Sequence, residues 1–391
     1  MPKSKDTING TRDPIQKLLE RCLQEDLPTE TALRQMELVL WTFREFSLDG
    51  QSDEYELRTI LNIGRSYERL GGLTGALECY QDCIQLAIRL GDAETHARCL
   101  NRTGWVYALR SEWPAAVEAL DEAERMYEEL GHEAGLADVF AHKGKVYAEQ
   151  GNYDRAEEHF TRSLEIGRKL GNLEIMGVAT NSLGILASMR GDLEGAMVHY
   201  RDAVTVYQQM DNPTSLAKTY HNIGMLHMDC ERWTEALDSF EQSLEITTEH
   251  GELGMMSITY LNKAEVYFAL SDLSVAASYC GKALRIFEEL ADKLGEAEAQ
   301  RVLGMVFTKK EQWSAALGLF EDSLALSESC GNPLDTAETY RELGRMYVAK
   351  GDRDPARKAF VQALDRFRQV GAERDVEETE KLLSDLDRST E

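Results

Sequence analysis

One ten-residue stretch of the chain combines the side chains that most often bind transition metals in proteins. Imidazole, carboxylate and thiol groups occur there together, at His221, His227, Asp229 and Cys230. The alternative is packing, because His227 occupies a position that is mostly aromatic in an internal repeat. His221 lies on another face of the same predicted helix. We favour packing and predict no metal site.

The seven cysteines are sparse and odd in number, which does not suit a disulfide framework and fits a reducing compartment. Cys79 and Cys83 lie one helical turn apart, but Cys83 falls at a small, buried repeat position, which favours structural thiols. The sequence lacks the motifs G-x-x-x-x-G-K-S/T, H-E-x-x-H and G-x-S-x-G. We therefore predict no enzyme activity, no catalytic residues and no cofactor.

A period of 40 residues repeats eight times along the chain without an insertion. Alanine occupies one position in all eight copies, at Ala76, Ala116, Ala156, Ala196, Ala236, Ala276, Ala316 and Ala356. Twelve residues earlier, glycine occurs in all copies but one, at Gly64, Gly104, Gly144, Gly184, Gly224, Ala264, Gly304 and Gly344. Other small and aromatic positions follow at spacings of three, four and seven, which indicates helices.

Each copy is predicted to contain two helices, which we call helix A and helix B. In the second copy, helix A would span about 93–109 and helix B about 113–130. Asp and Asn cap helix starts, and proline suits the first helical position. Such residues occur at predicted joints between one helix and the next, namely Gly91-Asp92, Gly171-Asn172, Asn212-Pro213 and Asn332-Pro333. Because one helix pair cannot bury both faces alone, neighbouring copies must stack into a solenoid.

This pattern resembles the tetratricopeptide repeat (TPR) family, in which helix A contains G-x-x-Y and helix B contains A-x-x-x-F-x-x-A. The resemblance covers roughly residues 53–372. It implies an all-α, TPR-like helix-turn-helix solenoid, a right-handed superhelix of about eight 40-residue repeats plus capping helices. The repeat length is similar to that of LGN/Pins-type adaptors and of Rap-type bacterial peptide-sensing regulators. The sixth repeat departs most, at Ala264 and Cys280, and is predicted to be the weakest.

The ends of the array are predicted to differ from the repeats. Residues 1–12 would be disordered, 13–52 a degenerate N-terminal helical cap, and 373–391 a C-terminal capping helix and tail. The eight repeats between them are 53–92, 93–132, 133–172, 173–212, 213–252, 253–292, 293–332 and 333–372.

In the TPR family the concave surface is lined mainly by helix A, and the resemblance assigns residues of this chain to it. The predicted peptide-binding groove consists of Arg58, Asn62, Arg65, Arg69, Arg98, Asn101, Arg102, Trp105, His142, Lys145, Asn181, Ser182, Asn222, Met225 and Asn262. Its first two repeats contain five arginines against Glu68, so this end is predicted to be basic. Arginine suits a carboxylate or phosphate. The alternative is that these arginines pair with acids on adjacent helices.

The middle repeats add apolar groove residues, among them Val178, Ile185 and Met189. Such residues either pack within the array or form an adaptable apolar surface. The recurring asparagines are similar to an asparagine column of LGN-type adaptors, which implies hydrogen bonds to a peptide backbone. Local capping or bonding between helices is the alternative. The last repeats mix glutamate and arginine, for which we predict ion pairs one turn apart within a helix.

The predicted function is a non-enzymatic adaptor or scaffold whose concave groove binds an acidic-plus-hydrophobic segment of a protein or peptide partner. The alternative is a ligand- or peptide-responsive regulator whose superhelix changes pitch on binding. The net charge of −26 argues against nucleic-acid partners and predicts acidic outer faces around the basic groove. No apolar run is long enough for membrane insertion, and no signal peptide is visible, so we expect a cytoplasmic protein. The oligomeric state, monomer or weak self-association, stays open.

Overall fold

The computed structural model describes residues 29–46 and 53–388 of the chain. Regular structure in these ranges is entirely α-helical, which confirms the predicted fold class. The described ranges contain eighteen helices: α1 (Thr29–Phe46), α2 (Asp53–Arg69), α3 (Leu73–Leu90), α4 (Ala93–Leu109), α5 (Trp113–Leu130), α6 (Glu133–Glu149), α7 (Tyr153–Leu170), α8 (Leu173–Met189), α9 (Leu193–Gln209), α10 (Pro213–Asp229), α11 (Trp233–His250), α12 (Leu253–Ala269), α13 (Leu273–Leu290), α14 (Lys293–Lys309), α15 (Trp313–Ser329), α16 (Pro333–Lys350), α17 (Arg353–Val370) and α18 (Glu373–Arg388).

The helices follow the 40-residue period, with α2 and α3 as helices A and B of the first repeat and α16 and α17 as those of the eighth. In the second repeat the observed helices have the bounds expected from the sequence. The segment expected to cap the C-terminal end forms α18. Within the segment expected to form the N-terminal cap, residues 29–46 form α1, whereas residues 1–28, including the segment expected to be disordered, and 47–52 lie outside the described residues.

Short joints end one helix and begin the next. Gly91 has a φ of 69°, a left-handed conformation that glycine adopts without strain, and it ends α3. The side chain of Asp92 then accepts a hydrogen bond at 3.0 Å from the backbone N–H of Thr95 and begins α4. The other predicted caps make the same kind of bond, at Asn172, Asn212 and Asn332.

The recurring glycine allows helix A to lie directly against a large side chain of helix B. A Cβ atom at Gly144 would lie 2.5 Å from the ring of Phe160, too close for any real contact. In the sixth repeat, Ala264 takes the glycine position and Cys280 takes the ring position, and both are fully buried in one cluster. Because Cys280 is smaller than a ring, the methyl group of Ala264 fits, and the two departures compensate each other.

The chain divides into two compact units, the first extending to Thr219 and the second beginning at Tyr220, within α10. Inside each unit, helix A of one repeat contacts helix A of the next. In the first unit α4 contacts α6 and α6 contacts α8, and in the second α12 contacts α14 and α14 contacts α16. Residues at the same repeat position therefore form columns across neighbouring helices, and each column can be followed within its own unit.

Candidate functional site

In the first unit, one repeat position of helix A changes from basic to apolar along the stack. Helices α2, α4, α6 and α8 place at this position Arg65, Trp105, Lys145 and Ile185, respectively. The arginine and the isoleucine are exposed, and the two residues between them are half-buried. A basic, aromatic region and an apolar region thus lie next to each other on the face that was predicted to form the groove.

The centre of the basic region is a group of five predicted groove residues, which we call the Trp105 cluster: Asn101, Arg102, Trp105, His142 and Lys145. The imidazole of His142 stacks on the indole of Trp105, with ring centroids 5.2 Å apart and 13° between the planes. Nδ1 of His142 donates a hydrogen bond to Oδ1 of Asn101 at 2.8 Å. The ammonium of Lys145 lies 4.8 Å from the centroid of the Trp105 ring, a cation–π distance.

The positive charges of the Trp105 cluster disfavour one another. Burial lowers the pKa of Lys145, and the charge of Arg102 lowers it further, against the opposing influence of Glu68 and Asp138. Burial also lowers the pKa of His142 well below its usual value, with Lys145 and Arg102 adding to the effect, so the ring is neutral at physiological pH. An anion placed beside Lys145 and Arg102 would be attracted by both charges.

The arginines of the first two repeats differ in how far their charge is already paired. Arg98 pairs with Glu94 one turn away on the same helix. Arg102 lies 3.3 Å from Glu68, a longer and weaker contact. Three exposed arginines make no ion pair with any other residue in the described parts of the chain: Arg58, Arg65 and Arg69. The alternative of pairing with acids on an adjacent helix therefore describes Arg102, whereas Arg98 pairs within its own helix.

The apolar region lies on α8, beside α6. Its side chains at Val178, Ile185 and Met189 are 37%, 40% and 46% exposed, and together they form one apolar patch. Spacings of seven and four residues put all three on one side of the helix. The two other predicted groove residues of α8 are less accessible, because Asn181 accepts a hydrogen bond from Thr219 and Ser182 is buried.

In the second unit, a chain of hydrogen bonds holds the predicted groove residue Asn262. Its Nδ2 donates to Nε2 of His221 at 3.2 Å and lies 3.0 Å from Sδ of Met225. Nδ1 of His221 therefore carries the proton and donates to Oγ1 of Thr259 at 3.1 Å. Burial lowers the pKa of His221 to about 4, which keeps the ring neutral.

The asparagines of the predicted groove do not all have the same environment. Three of them form hydrogen bonds between successive A helices, at Asn101, Asn181 and Asn262. This is the interhelical role that the sequence left open as an alternative to peptide contact. Asn62 and Asn222 are half-buried.

The last repeats pair their charges largely between helices. Arg301 lies 3.0 Å from Glu338 on the next A helix and 3.8 Å from Glu298 on its own helix. Arg341 and Arg345 both reach carboxylates of α18. The predicted pairs within one helix therefore describe only part of this network, and the capping helix contributes the rest.

Within residues 29–46 and 53–388, no three His, Cys, Asp or Glu side chains are arranged to hold a metal ion. In the same ranges, no helix combines the length and the apolar composition needed to cross a membrane. The stretch that begins at His221 instead contributes His221 to the hydrogen-bonded chain around Asn262.

Two tetratricopeptide repeat models match the chain, one at residues 55–129, 136–209 and 255–329 and the other at 216–250 and 336–370. A similar protein is Protein KINESIN LIGHT CHAIN-RELATED 1 of Arabidopsis thaliana, 26% identical over 47% of this chain and 31% of its own length. This chain thus spans about a third of that relative.

Solved structures with the same fold include a signal transduction ATPase with a tetratricopeptide repeat sensor from Pyrococcus horikoshii. It superposes with a TM-score of 0.64 and 15% identity, over 91% of this chain and 55% of that one. A Rap protein complexed with competence and sporulation factor superposes with a TM-score of 0.54 and 15% identity, over 86% of this chain and 98% of that one. The repeat models cover well over half of the sequence. The chain belongs to the tetratricopeptide repeat family.

Proposed function

We propose that this chain is a non-enzymatic adaptor that binds a peptide segment of a protein partner on the A helices of its first unit. The acidic part of the segment lies against α2, α4 and α6, and the apolar part lies against α8. The observation that supports this most directly is the column from Arg65 through Trp105 and Lys145 to Ile185.

The basic region has cations that an acidic partner can use without breaking existing ion pairs. Arg65 and Lys145 make no ion pair with another described residue, and the ammonium of Lys145 lies over the face of Trp105. Because burial and Arg102 already disfavour the charged form of Lys145, a carboxylate that reaches it relieves an unfavourable interaction. The net charge of −26 also concentrates this attraction, since acidic segments are repelled elsewhere.

The apolar region supplies the second half of the recognition. Val178, Ile185 and Met189 form an exposed stripe on α8, whose burial by a partner would contribute about 25 cal/mol per Å² of apolar area. Methionine adapts to different side-chain shapes, so this region selects apolar character more than one residue type. The neighbour complexed with competence and sporulation factor is consistent with ligand binding by this fold.

Three fluorescent peptide pools test the proposal, namely an acidic–apolar pool, a neutral–apolar pool with serine for the acids, and a basic–apolar pool with lysine for the acids. Anisotropy titrations should show the tightest binding for the acidic–apolar pool. The double variant Arg65→Gln/Lys145→Gln should weaken that binding by roughly tenfold and leave the neutral pool unaffected.

A matched control removes two exposed cations from B helices, Arg89→Gln and Lys358→Gln, with the same change in net charge. If this control weakens binding as much as the groove variant does, the attraction comes from overall charge and the assigned site is wrong. Equal binding of the acidic and the basic pools by the unmodified chain would also contradict the proposal.

A further inference from the structure

A cavity of about 500 Å³ opens on the A helices of the second unit. It lies among α12, α14, α15 and α16 and is lined by Phe268, Met305, Lys309, Trp313, Phe320 and Arg345, among others. We propose that this cavity is a separate binding site for an aryl or alkyl carboxylate, a compact apolar group that bears one carboxylate.

The interior of the cavity suits an apolar group. Phe268, Met305 and Trp313 are half-buried and supply accessible aromatic and thioether surface. The volume falls in the range of about 300–1,000 Å³ that is usual for small-molecule sites, which are mostly apolar with a few polar groups. Met305 adapts its shape readily, so the cavity can accept either an aromatic ring or a branched chain.

The cavity edge provides one cation that is not yet paired. The ammonium of Lys309 lies 5.2 Å from the centroid of the Phe268 ring, and Lys309 makes no ion pair with another described residue. Arg345, by contrast, shares its guanidinium between Glu342 and Glu378 at 2.5 and 2.6 Å. Lys309 is therefore the group that a ligand carboxylate meets.

Glu311 lies on the same edge and has the opposite charge. It belongs to the turn after α14, whereas Lys309 is held over the ring of Phe268 at the cavity wall. We therefore expect a carboxylate at Lys309, and an amine that binds as well as the acid would show that Glu311 dominates and would contradict the proposal.

This inference does not depend on the proposed adaptor function. Each residue of the cavity belongs to the second unit, whereas the proposed peptide site belongs to the first. Failure of peptide binding at Lys145 would leave the cavity unaffected, and an empty cavity would leave the peptide site unaffected.

Saturation-transfer NMR on the full chain tests the site with 4-phenylbutyrate, 4-phenylbutanol and 4-phenylbutylamine, which share one apolar group and differ in charge. We expect the acid to bind most tightly and the amine least. A second pair of probes, N-acetyl-glycyl-phenylalanine as free acid and as amide, shows whether a peptide carboxyl terminus supplies the same chemistry as a free acid does.

Two variants with matched controls locate the binding. Ala349→Leu fills the cavity edge from an exposed position and should abolish the signal, whereas Ala269→Leu, at the equivalent exposed repeat position outside the lining, should not. Lys309→Gln should weaken the acid about threefold, to the level of the alcohol, as expected for one exposed ion pair. Lys310→Gln removes a neighbouring cation that rests on Phe307 and should change nothing.

The inference is supported if the acid binds more tightly than the alcohol and this difference disappears in Lys309→Gln. It is overturned if the amine binds as well as the acid, if none of the probes binds, or if Ala349→Leu and Ala269→Leu behave alike. Far-UV circular dichroism of each variant verifies that the helices are intact.

Discussion

Tyr80 donates a hydrogen bond from its hydroxyl to Oε2 of Glu68 at 2.6 Å, linking a core position of α3 to the acid of the basic region. The ring of Tyr80 occupies the position that Phe160 and Phe320 take in other repeats and packs against the repeat glycine as they do. Its hydroxyl group is what those phenylalanines lack. Burial and the charge of Glu68 raise the pKa of Tyr80, so the hydroxyl stays protonated as a donor. Glu68 is thereby shared between Tyr80 and Arg102.

Replacing Tyr80 by phenylalanine should both destabilise the first unit and weaken the acidic-peptide site. The lost bond to a charged acceptor should lower the free energy of unfolding by about 1.5–3 kcal/mol, measurable by urea titration. Glu68 would then pair fully with Arg102. Binding of the acidic–apolar pool should fall in Tyr80→Phe and rise in Glu68→Gln, which removes the competing charge. Opposite changes, or none, would refute the role of Glu68 as a competitor.

A buried ion pair explains a second departure from the repeat. Lys143 replaces the leucine or isoleucine that most copies have, and it contacts both Asp121 and Glu124, the latter also at a usually aliphatic position. Burial lowers the pKa of Lys143, but the hydrogen bonds and charges of the two carboxylates outweigh it and raise the pKa overall. The two departures therefore depend on each other.

Lys143→Leu alone should lower the free energy of unfolding by about 1–3 kcal/mol, because it leaves Glu124 largely buried without its lysine. Adding Glu124→Leu should restore or exceed the original stability, since a packed apolar pair often equals or surpasses a buried ion pair. A double-mutant cycle in urea measures the coupling. Additive effects of the two substitutions would show that the residues do not depend on each other.

The fold could be predicted from the sequence because the columns at Gly144 and Ala156 report contacts inside one repeat, where helix spacing is fixed. The partners of exposed charged residues could not be predicted from the sequence, because they depend on how far successive A helices are offset along each other. Observed pairs such as Arg102–Glu68 and Asn101–His142 join residues 34 and 41 positions apart, not 40. That offset appears only once the helices are packed.

The cavity in the second unit escaped prediction for a related reason. The residues of its wall lie on four helices, with Phe268 on α12 and Met305 on α14, so no spacing along the sequence connects them. Arg345 also lines the cavity, but its charge is already shared between Glu342 of α16 and Glu378 of α18. The alternating glutamates and arginines of the last repeats do not reveal, from the sequence alone, which charges are paired with a residue of opposite sign.

The compensation between Ala264 and Cys280 gives a steric prediction. Cys280→Phe restores the ring that other repeats have at this position but forces it against the methyl group of Ala264. In the fifth repeat, Gly224 has to be glycine because the ring of Phe240 leaves no room for a Cβ atom there. We expect a loss of about 1–3 kcal/mol in the free energy of unfolding. Ala264→Gly in the same chain should recover most of it. A Cys280→Phe variant as stable as the parent would show that the sixth repeat has spare volume.

Glu265 should make the stability of the second unit depend on pH. Burial raises its pKa to about 7, with Glu298 and Glu338 adding to the rise and Arg301 opposing it. Between the unfolded value near 4.5 and pH 7, the folded state thus binds more protons than the unfolded state does. The free energy of unfolding should accordingly fall as the pH rises through this window and level off above it.

The expected fall between pH 5 and pH 8 is on the order of 2 kcal/mol, and Glu265→Gln should remove it and be the more stable protein at pH 8. Urea titrations at a series of pH values measure both effects. Glu245→Gln, at an exposed position of α11, is the control and should keep the slope of the parent chain. Because the cluster contains three carboxylates and one guanidinium, loss of one acid relieves more repulsion than it removes attraction. Glu265→Gln is therefore expected to raise the free energy of unfolding at pH 8. A slope that persists in Glu265→Gln would assign the titration to Glu298 instead, whose pKa burial also raises.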